Sequence, residues 1–298
     1  MLEFHEVTVE DKCRLQPMLQ NEKNRGCEYT FGNVILWSKI YATKVAYYNE
    51  GAVIRHDRHG AGYLVPVGEY DLKNILELML EDAKKSKHED RFSILAADKA
   101  DFEKIDTIFP SRFKYKDERD YAEYVYLSEN LRELPGKKYH NKRNHIARFL
   151  DNNPDYSFNV ITKDNIERVK VMNEEWRKRY EIEANDSLKE EISVAARAFD
   201  LFFESGLDGG FIESNKEIIA YSMGEAINDS TYCIHLEKAF HDIQGSYAVI
   251  NRDFARHFCK DYIYINREDD VGEEGLRRAK LSYYPEIITE KITIVPSN

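Results

Sequence analysis

The chain has 298 residues, 42% of them hydrophobic, with 20 Tyr, 15 Phe, 14 Gly and 7 Pro, a composition that fills a sizeable core and excludes disordered and fibrous classes. No apolar run approaches the roughly 18 residues of a membrane span, and a formal net charge of −11 argues against a DNA-coating protein, although a local basic patch can still hold a polyanion. Cys13, Cys27, Cys233 and Cys259 are scattered without a CxxC pair and Met1 opens a polar segment, so reduced thiols in a cytoplasmic protein without structural zinc are expected.

In chain order, a strand is expected at Leu2–Val7, helical segments near Val9–Gln20 and Tyr29–Ala42, and strands at Val45–Tyr48, Val53–His56 and Tyr63–Val67. Helix Asp71–Lys87 carries Leu72, Ile75, Leu76, Met79, Leu80 and Ala83 at helical spacing. Strand Phe92–Ala96, a helix near Asp101–Ile108 and strand Tyr121–Leu127 complete the first half. Leu134-Pro135-Gly136 reads as the joint between residues 1–134 and 135–298, each of ordinary domain size.

The second half repeats the plan. Strand Tyr156–Thr162 precedes helix Asp164–Glu181, with Ile166, Val169, Met172, Trp176 and Tyr180 in register, and a helix near Leu188–Ser205 stopped by Gly206. Strands Gly210–Glu213, Ile218–Glu225 and Thr231–Lys238 form a meander. Helix Gly245–Lys260, strand Tyr262–Arg267, a helix near Glu273–Ser282 and strand Ile288–Val295 follow. From the meander onward, five paired starting points are offset by 165 to 174 residues, which points to two copies of one α+β plan.

Two helices, three antiparallel strands, a helix, a strand, a helix and a closing strand is the element order of the GNAT-type N-acyltransferase fold. The segments Pro135-Gly136-Lys137-Lys138-Tyr139-His140-Asn141-Lys142-Arg143-Asn144-His145, His235-Leu236-Glu237-Lys238-Ala239 and Ile265-Asn266-Arg267-Glu268-Asp269 resemble the soluble family similar to the catalytic C-terminal region of lysylphosphatidylglycerol synthetases, itself related to the Fem peptidyltransferases. The resemblance implies tandem GNAT-like domains, each a mixed, mainly antiparallel sheet flanked by helices. It implies transfer of an acyl group, or of an amino acid from aminoacyl-tRNA, to an amine or hydroxyl of a small molecule or lipid headgroup.

Gly136–Leu150 contains Lys137, Lys138, Lys142, Arg143 and Arg148 with His140 and His145 and no acidic residue. Read as a helix, it sets Lys138, Lys142 and His145 on one face and Tyr139, Ile146 and Phe149 on another. Such a face suits the phosphates of tRNA or of a phosphorylated donor, and equally a solvated connector.

On Thr231–Lys238, alternation sets Cys233, His235 and Glu237 opposite Tyr232, Ile234 and Leu236. His235 is the better base for an attacking amine, with a structural His–Glu pair as the alternative. His-x-Glu supplies two metal ligands and no further ligand stands at recognisable spacing, so no metal site is expected.

Gln244-Gly245-Ser246 opens the helix at which GNAT enzymes receive the donor's pyrophosphate. Here the glycine-rich pattern is missing and Asp242 adds negative charge, which favours an aminoacyl-tRNA donor over acyl-coenzyme A. No tightly bound cofactor is expected.

Asn266, Arg267 and Glu268 end the neighbouring strand. Arg267 can hold a carboxylate or phosphate, and Glu268 and Asp269 an ammonium group, whereas Asp270 and Glu273 suit a helix start. Lys238, Asp269, Lys280 and Tyr283 are expected to line the same cleft. The first half has no acid or base over Tyr63–Val67, so the catalytic set is expected to be His235, Glu237, Asn266, Arg267 and Glu268. The first half then supports the site or binds the acceptor. A non-catalytic module for a phosphate-bearing ligand is the alternative. No GxSxG, HExxH, Walker or GxGxxG motif occurs, which disfavours hydrolase, metalloprotease, NTPase and dinucleotide readings.

Overall fold

The computed structural model describes residues 1–21, 25–86, 92–180 and 186–297. The first half contains β1 (His5–Glu6), α1 (Lys12–Leu19), α2 (Phe31–Leu36), α3 (Ser38–Tyr41), β2 (Thr43–Tyr48), β3 (Gly51–His56), β4 (Gly62–Leu64), β5 (Val67–Gly68), α4 (Leu72–Lys85), β6 (Ser93–Ala97), α5 (Lys99–Ile108), β7 (Phe113–Asp117), β8 (Tyr124–Leu127) and α6 (Ser128–Glu133). The second contains α7 (His140–Asn152), β9 (Ser157–Val160), α8 (Ile166–Tyr180), α9 (Asp186–Asp200), α10 (Phe202–Ser205), β10 (Asp208–Ser214), β11 (Glu217–Asn228), β12 (Thr231–Ala239), α11 (Ser246–Phe258), β13 (Tyr264–Asn266), α12 (Glu274–Leu281), β14 (Ile287–Ile288) and β15 (Ile292–Pro296). Lys87 and Glu181, the expected last residues of two helices, lie outside the described residues. No helix among the described residues is long and apolar enough to cross a membrane.

Local chemistry sets the ends of these elements. The Thr30 hydroxyl accepts the Asn33 N–H at 3.2 Å and starts α2, and Asp71 does the same for α4 through Asn74 at 2.7 Å. The stripe read from the sequence of α4 buries Ile75, Leu76, Met79 and Ala83. Gly206, at φ 79°, ends α10 in the left-handed conformation.

The strands form two mainly antiparallel sheets flanked by helices. The first runs β1-β2-β3-β4-β6-β15-β7, with β5 also on β3, and the second runs β9-β10-β11-β12-β13-β8-β14. Position for position the two orders agree, and each contains a parallel pair at the same place, β4 with β6 and β12 with β13.

The closing strands correct the expected topology. β8, expected to close the first sheet, lies between β13 and β14 of the second, and β15, expected in the second, lies between β6 and β7 of the first. The single strand expected over Ile288–Val295 is therefore two strands in different sheets. Hydrophobic alternation identifies a strand and its buried face but not its partner, so the exchange is not written in the pattern. β7 escapes the sequence reading because its Lys114, Lys116 and Asp117 are the charged positions of an exposed edge strand and read as loop.

One apolar core spans both halves, from Leu15 and Phe31 through Tyr124 and Tyr126 to Phe149, Trp176 and Phe254. A second, around Tyr63, Met79, Phe92, Ile292 and Ile294, belongs to the first sheet. A chain ending at Glu290 loses the fully buried Ile292 and Ile294, about 3–6 kcal/mol of side-chain burial. It is expected to melt about 5–10 °C lower; an unchanged midpoint in thermal denaturation would show that β15 is dispensable.

Candidate active site

The parallel pairing of β12 with β13 covers only Thr231–Tyr264, Tyr232–Ile265 and Cys233–Asn266, after which β12 runs on to Ala239 alone on that side. The two strands part, and the gap opens into a cavity of about 1340 Å³ lined from both halves. Trp37, Tyr41, Leu64 and Leu95 supply an apolar wall, and His235, Glu237, Arg267 and Lys142 supply charge. β12 contributes Ile234 to Lys238 to this enclosed space, and the strand is buried or half-buried throughout.

His235 sits between two carboxylates. Its Nδ1 is 2.7 Å from Glu268 Oε1 and its Nε2 is 3.1 Å from Glu225 Oε1. Burial opposes a charge on the ring, yet Cys233 and the two carboxylates hold its pKa well above the ordinary value. The Cys233 thiol is itself pushed up to about 12 by burial and stays neutral, so the carboxylates carry the effect. Both ring nitrogens are engaged by carboxylates, so the ring expected as a free base is clamped in place. Glu225 comes this close because α2 presents Gly32: a Cβ there would lie 2.1 Å from Glu225 Oε1.

Glu237 is also engaged. Its Oε1 accepts from Arg267 Nη2 at 2.8 Å and its Oε2 from Asn251 at 3.0 Å. Arg267 lies 4.9 Å from the Tyr283 ring centroid, and Lys142 Nζ stands 3.8 Å over the same ring while donating to Ser282 Oγ at 2.7 Å. Arg267 Nη1 is buried and has no hydrogen-bond partner among the described residues. Burial, then the neighbouring Arg267, pushes the Lys142 ammonium down to about 8.

The floor of the cavity is a buried ion group. Lys291 Nζ lies 2.5 Å from Glu28 Oε1 and 3.0 Å from Glu123 Oε1. Burial pushes the Glu28 carboxyl up to about 7 against the pull of Lys291. Beside it, burial and then the charge of Glu268 push Asp269 up to about 7. Lys280 donates to the Arg267 carbonyl at 2.7 Å and to the Asp269 carbonyl, and so ties down the loop after β13.

Of the expected residues, His235, Glu237, Arg267, Glu268, Lys238, Asp269, Lys280, Tyr283, Lys142, Gly245 and Ser246 line the cavity. Lys238 pairs with Glu191 at 2.6 Å. Asn266 is fully buried and spends its amide on Glu123 and the Arg25 carbonyl, which makes it a brace rather than a catalytic group. Lys137, Lys138, Arg143 and Arg148 are exposed outside the cavity, as is Gln244; Arg143 caps the Leu134 and Gly136 carbonyls of the joint.

The expected phosphate turn, which lines the cavity on one side, packs against α7 on another. A Cβ on Gly245 would lie 2.4 Å from the His145 carbonyl oxygen, and Ser246 Oγ donates to the Phe240 carbonyl at 2.8 Å.

Sequence reasoning missed Glu225, inside β11, Cys27 and Glu28, in a single helical turn, and Glu123 and Lys291, just before β8 and β15; they stand far apart in the chain and form no motif. It also counted His235 and Glu237 as the only metal-ligand pair, whereas the structure brings Cys233 and Glu268 to His235.

The family described as phosphatidylglycerol lysyltransferase, C-terminal, matches residues 20–294. Among solved structures, a conserved protein of unknown function from Bacteroides thetaiotaomicron VPI-5482 is 36% identical over 100% of both chains, with a TM-score of 0.94. L-PGS from Bacillus licheniformis is 13% identical, covers 98% of this chain and 93% of its own, and has a TM-score of 0.68. A tandem GNAT protein from the clavulanic acid biosynthesis pathway is 9% identical, covers 100% of this chain and 99% of its own, and has a TM-score of 0.51. At the last two identities the likeness is one of fold. No match was found among curated proteins.

Replacing Lys291 by Met strands Glu28 and Glu123 as buried carboxylates, a loss of about 3–5 kcal/mol. The loss is expected at pH 7 and shrinks as pH falls and the carboxyls take up protons, because a neutral carboxyl tolerates burial. Urea denaturation of both chains at pH 7 and pH 5 checks this; an equal loss at both would refute it.

Proposed function

The chain belongs to the family described as phosphatidylglycerol lysyltransferase, C-terminal, and from that premise we propose that it moves an aminoacyl group from tRNA to an amine or hydroxyl of an acceptor. An acyltransferase-type activity accords with the family and the GNAT-like fold. The aminoacyl-tRNA donor is the finer reading. The observation that carries it is Arg267, which lines the cavity and whose buried Nη1 has no hydrogen-bond partner among the described residues while Glu237 and the Tyr283 ring fix the rest of the guanidinium.

In this reading the acceptor nitrogen or oxygen attacks the ester carbonyl carbon, a new C–N or C–O bond forms, and the bond to the terminal ribose oxygen breaks. The ribose oxygen leaves with the electron pair and takes the proton that the attacking amine or hydroxyl gives up. The carbonyl oxygen carries negative charge in the transition state, and Arg267 Nη1 donates to it in a site from which bulk water is largely withdrawn. Glu237 is then a positioning residue for Arg267, not the base. Lys142 at the rim, with exposed Lys137, Lys138 and Arg148, meets the phosphates of the acceptor stem's end.

Coenzyme A fits less well. The start of α11, where its pyrophosphate is expected, is packed against the backbone of α7 at His145, and the Ser246 hydroxyl is already committed. The apolar wall of Trp37, Tyr41, Leu64 and Leu95 from the first half is the place for the acceptor.

Three outcomes follow. Bulk aminoacyl-tRNA binds with an affinity that falls with salt on a log–log slope of several units for about five phosphate contacts, and Lys138→Glu with Arg148→Glu reduces both. Salt-independent binding, or preferential binding of acetyl-coenzyme A, would remove the tRNA reading. Arg267→Ala lowers the transfer rate about 10²- to 10³-fold with the fold intact, and Arg267→Lys does not restore it because a point charge cannot keep both the Glu237 contact and the free donor. Since Lys142 is charged below about 8, donor affinity weakens as pH rises through that value; Lys142→Arg, which stays charged, flattens the profile, and a profile unchanged by this substitution assigns the titration elsewhere.

A further inference from the structure

The transfer proposed above leaves one cluster in the cavity unused. Cys233 and His235 project from the same face of β12, and Glu268 returns toward them from the loop after β13. His235 Nδ1 is 2.7 Å from Glu268 Oε1 and 3.6 Å from Cys233 Sγ, and Sγ is 4.0 Å from Oε1. Tetrahedral zinc with bonds of about 2.0 Å to nitrogen and oxygen and about 2.3 Å to sulfur sets donor atoms about 3.3–3.6 Å apart. The two sulfur separations are close to that range as they stand, and the His–Glu pair needs to open by little more than about half an ångström.

The surroundings are those of a ligand set rather than of a lone pair. The far nitrogen of the ring, Nε2, meets Glu225 Oε1 at 3.1 Å. A carboxylate in that position fixes the tautomer and orientation of a metal-bound imidazole. Glu268 is held in the left-handed region at φ 57°, its carbonyl accepting from Tyr124 N at 3.1 Å and its N–H donating to Asn266 Oδ1 at 2.7 Å. A non-glycine residue in that conformation carries strain, and the strain is what turns the carboxylate back toward β12. The neighbouring Cys27, Glu28 and Glu123 group is different, because the Lys291 ammonium already lies among its carboxylates.

We propose that Cys233, His235 and Glu268 bind one divalent transition-metal ion, with zinc the best match to a thiolate, an imidazole and a carboxylate. On binding, the Cys233 thiol loses its proton and the proton between His235 Nδ1 and Glu268 leaves. Two protons go out as one divalent cation enters, and a neutral imidazole remains with its Nε2–H on Glu225. His235 and Glu268 both line the cavity, so a position left open by three protein ligands faces it and takes water or a substrate oxygen. The inference does not rest on the tRNA reading and is tested without any transfer assay.

The test uses the purified full chain, stripped with chelator and titrated with cobalt(II), with bound metal counted after dialysis. The expected result is one ion per chain, a thiolate-to-cobalt charge-transfer band, and displacement of the band by zinc. Cys233→Ser abolishes the band, Cys27→Ser leaves it in place, and Glu225→Gln weakens binding about 10- to 100-fold. Should Cys233→Ser fail to fold, Glu268→Gln on the loop carries the test, keeping the band but losing at least about tenfold in affinity. Absence of stoichiometric binding, a band that survives Cys233→Ser, or unchanged affinity in Glu268→Gln would overturn the proposal.

Discussion

Much of the molecule depends on a contact between two crossing points. Glu123 stands one residue before β8 and Lys291 one residue before β15, the two strands exchanged between the sheets, and their side chains pair at 3.0 Å in the buried floor of the cavity. The backbone repeats the tie, since the Glu123 N–H donates to Thr289 Oγ1 at 2.8 Å and the Thr289 N–H to the Glu123 carbonyl at 2.9 Å. A buried ion pair is weak evidence of stability in itself, because desolvation offsets much of its attraction. Its consequence here is positional. With one charge removed the others are stranded, so the crossover cannot shift without a large penalty, and neither sheet closes without a strand from the other half of the chain.

That closure explains why the cavity has two unlike walls. Where β12 and β13 part, the second half contributes a row of charged groups, and the first half, held in place by the exchange, contributes Trp37, Tyr41, Leu64 and Leu95. Charges facing a partly enclosed, apolar-walled space interact more strongly than they do in water. The same enclosure makes each unpaired polar atom expensive. Most of the charged groups are accordingly committed to one another, His235 to Glu225 and Glu268, Glu237 to Arg267, Lys238 to Glu191. Against this background Arg267 Nη1 and Asn251 Oδ1, on the two residues that hold Glu237, are buried without a hydrogen-bond partner among the described residues.

The sequence was legible where one segment decides its own structure. The apolar stripe of α4, the Gly206 stop after α10 and the strand at β12 each follow from spacing within a few residues. What escaped depends on distant partners. β8 and β15 have ordinary strand patterns, and nothing within them names the sheet they join. Asn266 is polar and adjacent to Arg267, yet it points its amide to Glu123 and Arg25, a distinction invisible to local pattern. Glu225 and Lys291 read as ordinary polar residues near strand ends until the fold brings them to His235 and Glu123.

The role of His235 shows how far residue type alone can lead. An imidazole on a polar row suggests a base, because its ordinary pKa lies near neutrality. A base needs a free lone pair within reach of the proton it takes, and both nitrogens of this ring are instead engaged by carboxylates. Two acids on one imidazole describe a cation-holding device. The cation between Nδ1 and Glu268 can be a proton or, with the Cys233 thiol deprotonated, a metal ion, and Glu225 orients the ring in the same way for both. The geometry therefore gives His235 the part of a clamped group between Glu225 and Glu268, while Arg267, held by Glu237 and the Tyr283 ring, stands separately on the cavity wall.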